Sequence, residues 1–409
     1  MVGDAAEAVR IAKWTSIIVA GVLLLLVAAA FVLTSVVDPN RYRGKIGGIV
    51  ADLAGRPFVI EGNLEITWYP WLGVRTGAAH LDNLPGVPGP PIVEWQSIAV
   101  AAKVLPLLKG EIVADCIRLQ SLHIHLRRDA QGHGNWEDLG PRKPATASAP
   151  QPPAPSKPLQ IAGIEFRDGT IDYVDEASGL QANLSSLELD IGEWRAGQLL
   201  PVHTRFLAHT QSLPPAGVWV QVDAPQLALR TDPLNLKAPK LTVQVANTRI
   251  DGDDVTYDQT ADAHVHARGS LALHSPSLRQ LANDLALNQT LPHDPTTLGP
   301  LELTTTWTYD DGSITAKLLA LKLDGVTFNG WLERTAAPRA MWGFELHGDR
   351  IDLGRYVNVD STNKKPFELP VAALRAINAN GSVIFDQVVL ADTHMADVHL
   401  KLQTPEGKP

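Results

Sequence analysis

Residues 56–73 read RPFVIEGNLEITWYPWLG, and apolar and polar side chains alternate along this stretch almost without interruption. Alternation with a period of two places every second side chain on the same face of a β-strand. The predicted apolar face consists of five residues: Phe58, Ile60, Leu64, Ile66 and Trp68. Gly62 interrupts the row, which indicates a bulge or bend there. The stretch therefore predicts a strand with one apolar face and no group suited to catalysis.

A second strand is predicted over residues 117–128, IRLQSLHIHLRR. Its apolar residues change phase by one position, which predicts a β-bulge near Ser121. Beyond the bulge the apolar phase contains Leu122, Ile124 and Leu126. We assign these three, together with the five residues of the first strand, to the lining of one apolar surface.

Strand patterns dominate the rest of the chain after residue 159, for example in VWVQVD at 218–223 and LELTTTWTY at 301–309. Six Asp-Gly or Asn-Gly pairs, which begin at residues 168, 251, 311, 324, 329 and 380, are expected at hairpin turns. Helices are predicted near 275–288, with Ser275 as the N-cap, and near 368–379. The fold class is therefore mainly β with a few helices (α+β).

Residues 14–37 contain no charged residue. A helix of 24 residues is about 36 Å long, which is enough to cross a hydrocarbon core of about 30 Å. Arg10, Lys13 and Trp14 are placed at the membrane interface where this predicted transmembrane helix begins. A cleavable signal peptide ending near Ala30 is the alternative, and it is disfavoured because its apolar region is usually only about 7–15 residues long.

An amphipathic helix is predicted directly after the membrane segment. Asp38 suits its N-cap, Pro39 its first turn and Gly55 its end. Its apolar stripe consists of Ile46, Ile49, Val50 and Leu53. Basic residues lie on both sides of the membrane segment, so charge alone does not orient it. Trp68 and Trp71 belong either to the membrane interface or to ordinary packing.

Residues 141–158 contain seven prolines in eighteen positions and predict an extended linker. The predicted organisation has four parts: an N-terminal segment with the transmembrane helix at 1–37, a helix-plus-β module at 38–140, the linker at 141–158, and a β-rich domain at 159–409.

Composition and motifs favour neither an enzyme nor a nucleic-acid-binding protein. The net charge is −9 without a basic stripe, and Cys116 is the single cysteine. His123 with His125, and His264 with His266, have the i, i+2 spacing of metal ligands, but they lie in the polar phase of their strands without an obvious carboxylate partner. Residues 251–258, DGDDVTYD, lack the spacing of a calcium loop and are expected to form a hairpin turn. We therefore predict no catalytic residue, no metal and no cofactor.

Residues 38–86, from DPNRYRGKIGG through WYPWLG to HLDNLPG, resemble the N-terminal block of AsmA family proteins. Residues 166–192 and 344–402 resemble later parts of the same family. The resemblance implies a single-pass inner-membrane protein with a cytoplasmic N-terminus and with most of the chain in the periplasm. It also implies kinship with bridge-like lipid-transfer proteins of the chorein type, in which an extended, curved antiparallel sheet forms an apolar groove for acyl chains.

The function expected from this resemblance is phospholipid binding, which contributes to lipid transport between the inner and outer membranes and to outer-membrane integrity. The implied partners are phospholipid or another acyl lipid and the inner membrane. The alternative is a scaffold or accessory factor in outer-membrane protein assembly, which would bind another envelope protein. One-sided strands also occur in closed β-sandwiches, so the pattern alone does not separate a groove from a filled core. AsmA-like chains normally continue past the region matching 391–402, so this chain is expected to be a short member or to lack the far end.

Overall fold

The computed structural model describes residues 38–67, 72–102, 113–139, 160–193, 199–231, 233–260, 262, 264–287, 291–292, 294–336, 340–356, 378–390 and 393–403. The chain forms two compact units: an N-terminal unit of Met1–Leu126 and His133–Ala162, and a C-terminal unit of Arg127–Gly132 and Gly163–Pro409. The predicted transmembrane helix and the linker lie outside the described residues. Within the described ranges, no helix is both long and apolar enough to cross a membrane.

The helix predicted after residue 37 is confirmed. A 3-10 turn, Pro39–Tyr42, leads into α1, Arg43–Ala54. The Asp38 side chain accepts a hydrogen bond from the backbone N–H of Asn40 at 3.0 Å, as expected of an N-cap. Gly55 ends α1 in the left-handed conformation with φ 69°, which glycine adopts without steric cost.

The described strands of the N-terminal unit pair antiparallel in two sets, β1–β4–β5–β8 and β2–β3–β6–β7. Their bounds are β1 Phe58–Ile60, β2 Leu64–Thr67, β3 Leu72–Thr76, β4 Ala79–Leu81, β5 Val93–Trp95, β6 Ser97–Ala102, β7 Val113–Gln120 and β8 His123–Arg128.

Both irregularities predicted in these strands are present. The carbonyl oxygen of Ala78 accepts hydrogen bonds from Glu61 N–H at 2.9 Å and from Gly62 N–H at 2.8 Å, which is a β-bulge at Gly62. Ser121 has φ 51° and separates β7 from β8, so the phase change there is a full interruption of the strand.

The C-terminal unit is an antiparallel meander in which each strand from β9 to β19 pairs with the next. Its elements are β9 Gln160–Asp175, β10 Leu180–Ile191, β11 Leu200–Thr210, β12 Val218–Thr231, β13 Leu234–Val245, β14 Thr248–Gln259, β15 Val265–Ser275, α2 Leu278–Asp284, β16 Leu301–Asp310, β17 Ser313–Leu323, β18 Val326–Arg334, β19 Trp342–Asp352, β20 Ala379–Leu390 and β21 Thr393–Leu402. The mainly β fold with few helices is therefore confirmed for the described residues.

One strand pair departs from the antiparallel expectation. β20 runs parallel to β19, and β21 then returns antiparallel to β20. A parallel neighbour requires a crossover connection of a dozen or more residues, and 26 residues separate β19 from β20.

Four of the six Asp-Gly and Asn-Gly pairs were predicted wrongly as turns. Only the pairs at 311 and 324 connect hairpins, whereas those at 168, 251, 329 and 380 lie inside β9, β14, β18 and β20. The hairpin turn expected over 251–258 is wrong for the same reason. These glycines meet a packing demand instead: a Cβ on Gly330 would lie 1.9 Å from the carbonyl oxygen of Glu345.

The two later helix predictions also need correction. α2 is shorter than 275–288 because Ser275 is the last residue of β15. The N-cap is Ser277, whose hydroxyl accepts a hydrogen bond from the Gln280 N–H at 3.1 Å. Most of the helix predicted near 368–379 lies outside the described residues, and Ala379 begins β20.

Candidate functional site

One cross-strand row connects all thirteen described strands of the C-terminal unit. Each member lies directly opposite the next in the strand register. We call this row the apolar ladder: Phe166, Leu189, Thr204, Val222, Val243, Ile250, Leu273, Leu303, Leu321, Phe328, Gly348, Phe385 and Val398. Directly opposite residues share a face, so these side chains lie on one side of the sheet. Only Thr204 and Gly348 are not large apolar residues.

Gly348 leaves room for the side chains of its two neighbours in the ladder, Phe328 and Phe385, to contact each other. A Cβ at this position would lie 2.9 Å from the ring of Phe385 and 3.0 Å from the ring of Phe328. Because glycine leaves that space empty, the two rings meet edge to face with 5.7 Å between their centroids.

The adjacent row on the opposite face is mainly polar. Asp190, His203, Asp223, Thr242 and Asp251 follow one another across β10 to β14. His203 and Asp223 form an ion pair across two of these strands. The hydrogen bond from Arg249 lowers the pKa of Asp251. Partial burial of the carboxylate opposes this effect, and a hydrogen bond from Thr242 adds to it. These five side chains are half-buried, like most of the ladder, so the two faces differ in polarity.

The ladder is only partly shielded from solvent. Phe166 and Phe385 are buried, at 5% and 6% exposure, whereas the other large apolar members are half-buried. The inner faces of a β-sandwich fill a common core and are buried throughout. Within the described part of the C-terminal unit, therefore, no second layer seals the ladder along its length.

Four bulges keep the apolar side chains on this face. Asp168, Ser186, Asp254 and Leu318 have positive φ values of 56°, 49°, 50° and 52° inside strands. Register shifts accompany them in β9, β10, β14 and β17. An inserted residue reverses the phase of alternation. In β17, for example, Ala316 and Leu319 both fall in the apolar phase, and Leu318, 81% exposed, is the inserted residue.

The groove candidates in the N-terminal unit fall into two rows. Phe58 shares its row with Leu81, Val93 and Ile124, and its ring lies 5.5 Å from that of Trp95. Leu64 and Ile66 lie in the other set of strands, in which β2 pairs with β3 and β3 with β6. Leu64 is 3% exposed.

The remaining candidates are half-buried or undescribed. Ile60, Ile66, Leu122, Ile124 and Leu126 are half-buried. The described residues do not include Trp68, nor the membrane-interface candidates Arg10, Lys13, Trp14 and Trp71. The assignment of both groups stays a prediction.

Three of the four residues in the apolar stripe of α1 face solvent. Ile46, Ile49 and Leu53 are 38%, 60% and 77% exposed. Gly47, on the other side of the helix, is buried, and a Cβ there would lie 3.2 Å from the Phe58 carbonyl oxygen. Arg43 of α1 also donates to the Glu61 and Gly62 carbonyl oxygens at 3.0 Å. The described residues therefore contact α1 through Arg43 and Gly47 and leave Ile46, Ile49 and Leu53 uncovered, while Val50 is half-buried.

The histidines do have carboxylate neighbours, contrary to expectation. His123 Nδ1 and His125 Nε2 each lie 3.7 Å from the same oxygen of Glu94. His266 Nδ1 lies 3.0 Å from Asp310, and His264 pairs with Asp311. In the portion of the chain that the structure describes, no three His, Cys, Asp or Glu side chains are arranged to hold a metal ion.

A buried ion pair in the N-terminal unit was missed by the sequence reasoning. The Arg56 side chain is fully buried, and its guanidinium donates to the Asp138 carboxylate and to the Asn135 carbonyl oxygen. Asp138 is 82 positions away in sequence, and no local pattern connects the two residues. The pair fixes the 134–139 segment against the start of β1.

Comparison with known proteins places this architecture in a family. The AsmA family model matches residues 9–252, which is more than half of the chain. The AsmA family protein YhjG of Escherichia coli (strain K12) is 27% identical over 130 residues, which cover 29% of this chain and 19% of that protein. The aligned part thus spans about a fifth of that relative's length. The family match, over a mainly β chain, shows that this protein belongs to the AsmA family.

Proposed function

We propose that this protein binds the acyl chains of phospholipids along the apolar ladder. The observation that carries the proposal is the ladder itself: a row across thirteen described strands in which eleven residues are large and apolar, mostly half-buried, on a sheet whose other face is mainly polar. Family membership is consistent with an envelope or lipid-related role. Binding of this kind requires a continuous apolar surface and no catalytic group, so we propose a non-enzymatic function.

The dimensions and energetics suit an acyl chain. Twelve inter-strand steps of about 4.8 Å give the ladder a length of roughly 58 Å along the sheet. Each buried CH₂ group contributes about 0.8 kcal/mol, so about a dozen contribute roughly 10 kcal/mol. A bilayer offers a similar gain per CH₂ group, and a lipid could therefore pass between membrane and ladder without a large change in free energy.

We further propose that the protein acts from the inner membrane, with its N-terminus in the cytoplasm and its two units in the periplasm. This placement rests on the charge-free segment at 14–37 and on family membership. In that setting the ladder would contribute to phospholipid movement between the inner and outer membranes and to outer-membrane integrity.

The test compares two adjacent residues of β13. Val243 belongs to the ladder, whereas Gln244 points to the polar face opposite Arg249. The full chain is purified in mild detergent, and the bound lipid is counted by native mass spectrometry. Val243→Asp is expected to lose most of the bound phospholipid, and Gln244→Asp to retain it, with unchanged circular dichroism in both. Equal lipid content in the two variants would refute the proposal.

A scaffold or accessory role in outer-membrane protein assembly is the second candidate, favoured by one observation. Among the described residues, β21 pairs only with β20 and leaves its other edge without a strand partner. Such an edge can accept an extended strand of another protein. A Pro substitution at Met395 that abolishes capture of an envelope protein, while lipid content stays unchanged, would favour this role.

A further inference from the structure

A cavity of about 500 Å³ lies on the sheet of the C-terminal unit and is lined mainly from its polar face. We call it the hydroxyl cavity after the hydroxyl and cationic side chains in its lining: Lys237, Thr256, Arg268, Ser270, Thr306 and Thr308. Gly269 and Trp307 also line it. Asp254 is the one carboxylate in the lining. None of these side chains belongs to the apolar ladder.

The strand register brings these groups together. Lys237, Thr256, Arg268 and Thr308 lie directly opposite one another on β13, β14, β15 and β16. Ser270 and Thr306 form the neighbouring pair two residues along. Lys237 and Arg268 are two strands apart, roughly 10 Å between backbones, so both long side chains can reach a small ligand above Thr256.

The two cations of the cavity lack partners among the described residues. Neither Lys237 nor Arg268 has an ion pair or a side-chain hydrogen bond there, whereas nearby Lys240 pairs with Asp253 and Arg249 with Asp251. The chain carries a net charge of −9, so acidic side chains are not scarce. The two cations lie beside the hydroxyls of Thr256, Ser270 and Thr308, whereas the Thr306 hydroxyl already donates to the Lys317 carbonyl oxygen at 3.2 Å. The cavity therefore has a local excess of positive charge and of hydrogen-bond donors.

We infer that the hydroxyl cavity binds an oxyanion of the phosphate type, either free phosphate or a phosphate headgroup. Arg268 can donate two parallel N–H hydrogen bonds to such an anion, and Lys237 supplies a second positive charge. The Thr and Ser hydroxyls rotate to donate to the remaining oxygens. The inference does not rest on acyl-chain binding, because that proposal concerns the opposite face of the sheet.

The experiment is isothermal titration calorimetry of the full chain in detergent with inorganic phosphate and, separately, glycerol 3-phosphate. Saturable binding is expected, and the double variant Lys237→Gln/Arg268→Gln is expected to weaken it by about tenfold or more, because both positive charges of the cavity are removed. Arg350→Gln is the matched control, because Arg350 is an exposed cation outside the cavity. It is expected to leave binding unchanged.

Removal of the Asp254 charge is expected to change phosphate binding in the opposite direction. Its φ of 50° is a conformation that asparagine adopts as readily as aspartate, so Asp254→Asn removes a charge without disturbing the backbone. This variant is expected to tighten phosphate binding severalfold. Tighter binding of glycerol 3-phosphate than of phosphate would identify a headgroup as the source, and the reverse order would identify free phosphate. Absence of saturable binding of both, or an equal loss in Arg350→Gln, would overturn the inference.

Discussion

Replacement of Asp138 by asparagine is expected to destabilise the N-terminal unit through the loss of one charge. Asp138 Oδ2 accepts a hydrogen bond from Arg56 Nε at 3.1 Å, and the other carboxylate oxygen accepts from Nη2. The Arg56 side chain is fully buried, whereas that of Asp138 is 30% exposed. Asparagine keeps the size of the side chain, so the variant leaves a buried guanidinium without its counter-charge.

The magnitude follows from the burial of the two partners. Removal of one partner of a buried ion pair typically costs about 3–5 kcal/mol, because the remaining charge stays desolvated. Arg56 keeps the Asn135 carbonyl oxygen as an acceptor, while its Nη1 has no hydrogen-bond partner among the described residues. Since Asp138 is partly exposed, we expect the free energy of unfolding to fall by an amount at the lower end of this range, about 3 kcal/mol. This corresponds to a factor of about a hundred in the unfolding equilibrium.

Hydrogen–deuterium exchange with mass spectrometry can follow each unit separately in the full chain. The amide of Asp82 donates to the Pro57 carbonyl oxygen at 2.9 Å and reports on the strands beside Arg56. We expect exchange there to accelerate by about a hundredfold in Asp138→Asn, while peptides of the C-terminal unit stay unchanged. The control is Glu137→Gln, an exposed neighbour that accepts a hydrogen bond from Gly134 N–H. Equal protection of the Asp82 amide in wild type and Asp138→Asn would refute the reasoning.

Three further predictions concern the C-terminal unit. Leu318→Asn is expected to stabilise it by about 0.5–1 kcal/mol in urea denaturation, because asparagine tolerates positive φ and an exposed Leu loses little packing; destabilisation would contradict the bulge assignment. Gly348→Ala is expected to cost about 1–3 kcal/mol and to weaken lipid binding, because the added methyl group separates the two phenylalanine rings beside it; an unchanged urea midpoint would contradict this. The backbone N–H of Val265 and the His264 side chain lower the pKa of Asp311 from 3.8, so its contribution to stability is present above that pH and is lost as pH falls through the lowered value. Asp311→Asn is therefore expected to show a smaller decrease in thermal midpoint on acidification than wild type, and an equal decrease would exclude this role.

Local sequence patterns predicted the strands and several irregularities correctly. Period-two alternation identified β1, β2 and the later strands. The glycine at position 62 and the phase change at Ser121 marked real irregularities in the strand pairing. The end of α1 at Gly55 was also predicted. The predicted cap Asp38 serves the 3-10 turn Pro39–Tyr42, whereas α1 itself begins after Tyr42 without a side-chain cap. These features depend on residues close in sequence, which is why a single sequence contains them.

The apolar ladder could not be predicted because it depends on register. A shift of one residue in any strand pair moves a side chain to the other face, and bulges at Asp168 and Leu318 set that register. Asp168 was instead assigned to a hairpin turn, since Asp-Gly is the usual turn signal. The buried Arg56–Asp138 pair escaped prediction for a different reason: tertiary structure alone brings its partners together.

Photo-crosslinking in cells tests the central claim most directly. A photoreactive amino acid is placed at Val222 or Val243, which face each other in the ladder, and at Gln221 or Gln244, which face each other on the polar side. Each control differs from its partner by one position along the same strand. We predict phospholipid adducts from the two valine positions and none from the two glutamine positions. Absence of lipid from all four, or equal labelling of both faces, would contradict lipid binding at the ladder.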